Sequence, residues 1–283
     1  MKNLEKTKHR KLFCEISPFT YKISMKKGIF LRKLKDFFSG NSFAKEKTIE
    51  KMPIVLYKHK SLIRRKLGNV NLELQENKAV NLSIVAPKVN GIVVNPGEIF
   101  SFWRLVGEAT NKKGYKEGLA IRKGTTSSGI GGGMCQFTNL IHWMILHTPL
   151  DIIEHHHHDN IDLFPDFGRQ VPFGTGTSVA YNYLDYRFRN NTNQPFQIIV
   201  YTTDEYLCGE IRTTCELEYS YHITCEDEYF SRENDTVYRN NKIFRSVVDK
   251  KTGNEVLRKL IKSNHAKVMY DTSNLNIKEE IGN

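Results

Sequence analysis

Gly131-Gly132-Gly133-Met134-Cys135-Gln136-Phe137-Thr138-Asn139-Leu140-Ile141-His142-Trp143-Met144-Ile145-Leu146-His147 is the stretch on which the architecture of this chain turns. It follows and closes a run from Gly124 to Gly133 made almost wholly of Gly, Ser and Thr, which predicts a loop. From Gln136 to His147 the residues are apolar and free of breakers until Pro149, which predicts a buried helix. Working outward, Arg64 to Val85 predicts a second helix, with Leu67, Val70, Leu74, Leu82 and Val85 as its apolar stripe and Pro87 and Gly91 as its stop. Between the two helices lie Ile92-Val93-Val94, the turn Asn95-Pro96-Gly97 and an aromatic strand from Ile99 to Trp103. Beyond the central helix, Asp151-Ile152-Ile153, Ser178 to Tyr183, Phe196 to Tyr201 and Tyr206 to Ile211 predict strands. Helices and strands do not alternate as βαβ units. The expected class is α+β: a central buried helix packed on a mainly antiparallel sheet, with an N-terminal helical basic extension.

The 283 residues, 39% hydrophobic and 26% charged, exclude a disordered, collagen-like or disulfide-stapled chain. Three regions are expected: a basic amphipathic extension over residues 1–50, a compact body over 51–215, and a C-terminal extension over 216–283. The last is more polar, with short strand-like runs at Lys242–Val248 and Ala266–Tyr270. The net charge of +11 is unevenly spread, because residues 1–66 carry 19 Lys/Arg against 5 Asp/Glu and the rest is slightly acidic. Within the arm, Phe30, Leu34, Phe37 and Phe38 recur at helical spacing among Lys26, Lys27, Arg32, Lys33 and Lys35. Such a helix suits an anionic membrane surface; the alternative is a helix docked on the body with a solvated lysine face. No nucleic-acid motif accompanies the charge, so no nucleic acid is expected as a partner. There is no apolar run of roughly 18–20 residues, and Leu12-Phe13-Cys14 is broken at once by Glu15. Neither a membrane-spanning helix nor a signal peptide is expected, which predicts a cytoplasmic protein, peripheral at the inner membrane face.

The glycine loop delivers Cys135 to the start of a helix, where unpaired amides and the helix dipole favour a thiolate. Amides of Gly131, Gly132, Gly133 and onward to Gln136 could donate to an oxyanion. The competing reading is a tight turn and a small buried thiol. A base would decide between them, and Glu154-His155-His156-His157-His158-Asp159 follows. Alternation puts His156 and His158 on one side and His155 and His157 on the other. A metal site of His156, His158 and Asp162 ranks below acid–base chemistry, because no spacing matches a recognised zinc pattern. Among the five cysteines, Cys208, Cys215 and Cys225 show no Cys-x-x-Cys, and no cofactor is expected.

The chain resembles the VanW family, which is linked to vancomycin-resistance gene clusters. The resemblance runs from about Pro53 to Thr214. It is carried by Gln75-Glu76-Asn77-Lys78, Pro96-Gly97-Glu98-Ile99-Phe100-Ser101-Phe102-Trp103, Gly131-Gly132-Gly133-Met134-Cys135-Gln136, Pro172-Phe173-Gly174-Thr175-Gly176 and Tyr181-Asn182-Tyr183-Leu184-Asp185. It implies a cysteine at Cys135 and a histidine at His158, four residues after Glu154, with His155 standing where the family has Arg. Exported members look like cysteine L,D-transpeptidases, which implies acyl transfer on peptidoglycan stem peptides. In that scheme Cys135 attacks, His158 or His157 is the base, and Asp185 orients it. The alternative is a non-catalytic accessory protein that binds a peptidoglycan precursor or the membrane face.

Overall fold

A computed structural model describes residues 12–64, 72–122, 125–157, 160–166, 168, 170–181 and 184–279. The N-terminal part is helical: α1 (Phe13–Ile16) and α2 (Pro18–Phe38) precede strand β1 (Ile54–Leu62). Helix α3 (Leu72–Val89) then leads to β2 (Ile92–Val94), β3 (Ile99–Ser101), α4 (Phe102–Val106) and the hairpin β4 (Glu117–Arg122) and β5 (Thr125–Ile130). The central helix α5 (Met134–Leu146) is followed by β6 (Asp151–Glu154), β7 (Ile161–Asp162), β8 (Arg187–Arg189), β9 (Phe196–Thr202) and β10 (Tyr206–Thr213). Three long strands, β11 (Tyr219–Glu233), β12 (Thr236–Asp249) and β13 (Glu255–Val268), and short β14 (Ile277–Glu279) complete the chain.

The core is built as the hydrophobic pattern requires. An antiparallel sheet ordered β1-β10-β9-β2 carries α5 and α3 on its apolar face. From α5, Phe137, Leu140, Ile141, Met144 and Ile145 are buried against Ile198, Val200, Leu207 and Ile211 of the sheet. Gly209 in β10 makes room for the α5 side chains; a Cβ there would meet Met144 Cε at 2.6 Å. The fold is α+β, with a buried central helix on an antiparallel sheet. Pro87 sits in the last turn of α3, and Gly91, at φ +80°, turns the chain into β2. Leu67 and Val70 lie outside the described residues.

Four expectations give way to detail. The Gly/Ser/Thr run is not all loop: Thr125–Ile130 is a strand paired in register with Glu117–Arg122. The aromatic stretch from Ile99 divides after Ser101, and Phe102 and Trp103 begin a short buried helix. Ser178 to Tyr183 contributes only a single bridge, Ala180 to Leu184, with residues 182 and 183 outside the described residues. The runs at 242–248 and 266–270 fall within or at the end of strands of 14 residues each, part of a meander that β7 joins in parallel through Lys267 and Val268.

Helix α2 rests on the body through ion pairs. Asp36 takes a bidentate contact from Arg187, both bonds at 2.7 Å, while Arg32 bonds Glu154. Burial would raise the Asp36 carboxyl, but the hydrogen bond and charge of Arg187, with Arg32 and Arg104, hold it below its usual value. The chain after α2 is stitched down by backbone bonds, Ala44 N to Ile99 O at 2.9 Å and Thr48 N to Gly91 O at 3.0 Å.

Candidate functional site

The glycine loop is held by contacts that need glycine. Gly132 packs backbone to backbone against Gly118, where a Cβ would lie 2.2 Å from the Gly118 carbonyl carbon. Gly133, at φ +103°, caps α5 and leaves no room for a Cβ beside Lys78. Asn81 of α3 fastens the loop: its amide donates to Lys116 O at 3.0 Å and Gly132 O at 2.9 Å, and its carbonyl accepts from Lys116 N at 2.8 Å. Cys135 is thereby fixed as the second residue of α5, half-buried on the wall of a cavity of about 650 Å³.

Burial pushes the Cys135 thiol up, and amide donation from Val179 and from its own N–H offsets this only in part. The group rests as a neutral thiol at neutral pH. Of the proposed oxyanion donors, the Gly131 amide is spent on Lys116 O (2.9 Å), that of Gly132 on Gly129 O (3.0 Å) and that of Gln136 on Gly133 O (3.0 Å). The Gln136 side chain is also engaged, donating to Ser61 Oγ at 2.9 Å and Leu62 O at 2.8 Å. Gly133 and Met134 are the loop amides that donate to no acceptor among the described residues, and they sit at the positive end of α5.

The histidine run leaves β6 and does alternate. His156 turns back to Glu154 Oε1 (3.1 Å), while His155 and His157 share a side with ring centroids 3.9 Å apart. His157 faces the cavity that Cys135 lines. Behind it the rings continue inward: His155 lies 4.0 Å from His142, whose Nδ1 is 3.1 Å from the Tyr186 hydroxyl. His155 Nε2 also donates to Gly176 O at 3.1 Å. Burial, then the neighbouring imidazoles, pull His155 down to about 3 and His142 well below its usual value, so both rings are neutral. His158 lies outside the described residues.

Asp185 belongs to a different place. It accepts from Trp103 N at 3.0 Å, Ser101 Oγ at 2.5 Å and Arg187 Nε at 2.7 Å, lining a second cavity of about 360 Å³ beneath α2. Its carboxylate is occupied with orienting α4 and Arg187 rather than an imidazole of the larger cavity. The metal alternative is not assembled either. Asp162 binds Arg239 (3.3 Å) and accepts from Tyr270 (2.9 Å), His156 is on Glu154, and no group of three His, Cys, Asp or Glu side chains among the described residues is placed to hold an ion.

The opposite wall comes from the C-terminal meander. The loop Pro172-Phe173-Gly174-Thr175-Gly176 is clamped on both sides. Thr177 donates from N and Oγ1 to Asn139 Oδ1 of α5 (2.6 and 2.8 Å), and Asn241 and Asn264 donate to Phe173 O (3.0 and 3.4 Å). Gly174 allows Asn264 to approach; a Cβ there would lie 2.0 Å from its amide nitrogen.

The family described as VanW like protein matches residues 77–212. Vancomycin B-type resistance protein VanW of Enterococcus faecalis (strain ATCC 700802 / V583) is 32% identical over 233 residues, which is 82% of this chain and 84% of that protein. The chain belongs to the VanW family. A second relative, the uncharacterized protein YoaR of Bacillus subtilis (strain 168), is 34% identical over 126 residues, 44% of this chain and 39% of its own length. No solved structure matches.

This VanW-family cavity contains side chains that spacing alone did not single out. Lys60, Lys78 and Lys262 line it, against the acid Asp162 whose charge Arg239 already meets. Lys78 sits in the Gln75-Glu76-Asn77-Lys78 motif and was in that sense visible. Lys262 and His265 were not, since nothing in the polar C-terminal sequence ties them to a cysteine more than a hundred positions earlier.

Among the described residues, no helix is long and apolar enough to cross a membrane.

Proposed function

We propose that this VanW-family protein, like the resistance protein it resembles, acts in the context of vancomycin resistance, by cysteine-dependent acyl transfer on a carboxylate-bearing peptide of the cell envelope such as a peptidoglycan stem. One observation carries the reading: the thiol of Cys135 and the imidazole of His157 open onto the same lysine-rich cavity at the N-terminus of a buried helix. Three lysines on the cavity wall give it a positive potential that favours an anionic ligand. Because the thiol rests protonated, attack requires a base, which is the role assigned to His157. Sγ adds to the peptide carbonyl as the proton passes to imidazole, and the amides of Gly133 and Met134 receive the oxyanion. Collapse breaks the C–N bond, with imidazolium protonating the departing amine and leaving a thioester. An acceptor amine, or water, then attacks that thioester with His157 as base again, and the thiol leaves protonated.

The second reading, a binding cavity without chemistry, draws on the burial that raises the thiol. Purified protein assayed for stem-peptide exchange and hydrolysis separates the two. The expected result is turnover that falls at least a hundredfold in Cys135→Ala and in His157→Gln, with His158→Gln as the control for register. Stem-peptide binding that survives Cys135→Ala with no turnover in the wild type refutes the catalytic reading.

A further inference from the structure

Helix α2 has two unlike sides. Thr20, Ser24, Met25, Gly28, Ile29, Arg32 and Asp36 are its half-covered positions, and Arg32 and Asp36 among them bond the body. On the opposite side Phe19, Ile23, Phe30, Leu34 and Phe37 follow one another at steps of three, four or seven, which keeps them in one stripe. All five are exposed, Phe37 at 81%, Phe19 at 71% and Phe30 at 63%, and Phe38 widens the stripe at 74%. Exposed lysines at 26, 27 and 33 border it. The helix's one acidic residue, Asp36, is turned to the body and spent on Arg187. Beyond the helix start, Leu12 and, in α1, Phe13 and Ile16 are exposed as well. The arrangement is inverted relative to an ordinary surface helix, whose apolar side would face the core.

We propose that α2 is an in-plane docking element for an anionic lipid bilayer, with the Phe19–Phe37 stripe among the acyl chains and the lysines at headgroup phosphates. The charge selects this occupant. A second copy of the chain would bring the same lysines against these, whereas a bilayer of acidic lipids meets them with opposite charge across the whole length of the helix. At 21 residues α2 extends about 30 Å along the surface, enough to seat all of the stripe at one depth. The ion pairs of Arg32 and Asp36 transmit the anchorage to the body without using the exposed side.

Co-sedimentation of the full chain with sucrose-loaded vesicles tests this. The protein should pellet with mixed phosphatidylglycerol/phosphatidylcholine vesicles, and much less with phosphatidylcholine alone. Phe30→Ser/Leu34→Ser/Phe37→Ser should abolish pelleting. Lys26→Gln/Lys27→Gln/Lys33→Gln, which leaves the stripe intact, should weaken it by roughly fivefold per lysine, about a hundredfold in all. Wild-type protein that stays in the supernatant with the acidic vesicles overturns the proposal, as does undiminished pelleting of both variants. A gel-filtration dimer that the serine variant dissolves, without vesicle binding, assigns the stripe to a second copy instead and likewise overturns it. None of these readouts depends on Cys135.

Discussion

Lowering the pH from about 7.5 to about 5 sets the buried imidazoles against the fold. His155 is held down to about 3 and His147 to about 4, in both cases first by burial. His147 closes α5 with its ring stacked on Tyr57 at 3.8 Å and its Nδ1 donating to Trp143 O at 2.8 Å. In the unfolded chain both groups titrate near 6.5. Between those limits the unfolded state binds more protons, so the stability is complete above about 6.5 and drains away as the pH falls towards the folded values. At about pH 5 the loss is about 2 kcal/mol for each ring, or about 4 kcal/mol together. His142, also pulled down by burial, adds in the same direction. The carboxylates of Asp36 and Glu154 are held below their usual values, so their losses come at lower pH and leave this window to the histidines. Urea unfolding followed by tryptophan fluorescence should therefore show a markedly lower midpoint at about pH 5, and His155→Gln should recover about 2 kcal/mol of the difference. A free energy of unfolding that stays level across this range would refute the neutral, buried assignment of these rings.

Gly132→Ala should destabilise the protein by about 2–3 kcal/mol, because the added carbon meets Gly118 backbone that cannot move aside; thermal melting measures it. Arg239→Met strands the buried Asp162 carboxylate and should cost about 3 kcal/mol or more in urea unfolding. Iodoacetamide should alkylate exposed Cys215 well before Cys135 at neutral pH, with the Cys135 rate still climbing beyond pH 9, as read by mass spectrometry of tryptic peptides. Asp36→Ala removes the shared partner of Arg32 and Arg187 and should speed tryptic cleavage after Lys33 and Lys35 several-fold.

The elements that were readable from sequence are those buried on both sides, whose residues run apolar without a break. The apolar run of α5 and the β-branched cores of β2 and β9 are of this kind, and the alternation at His155–His157 follows from the strand they leave. The hairpin β4–β5 was hidden because its second strand is Thr, Ser and Gly, residues that usually mark turns. The long strands of the C-terminal meander were hidden for another reason: Glu255 to Ile261 of β13 is exposed at every position, so no alternation of polarity marks the sheet. In the site, Cys135 and a histidine of the run were visible because loop, helix and strand follow one another closely. Asp185 misled because its motif carries chemistry-capable residues without saying which cavity they face. Buried beside Arg187 at 2.7 Å, it works as scaffolding for α2 and α4.

The wall contributed by β13 closes the chamber from outside the stretch that the family model covers. That model matches residues 77–212, yet Lys262, Ser263, Asn264 and His265, which line the same cavity as Cys135, come later in the chain. On the function proposed above, substitutions in β13 would alter the fit of a ligand while leaving the cysteine and its glycine cradle untouched.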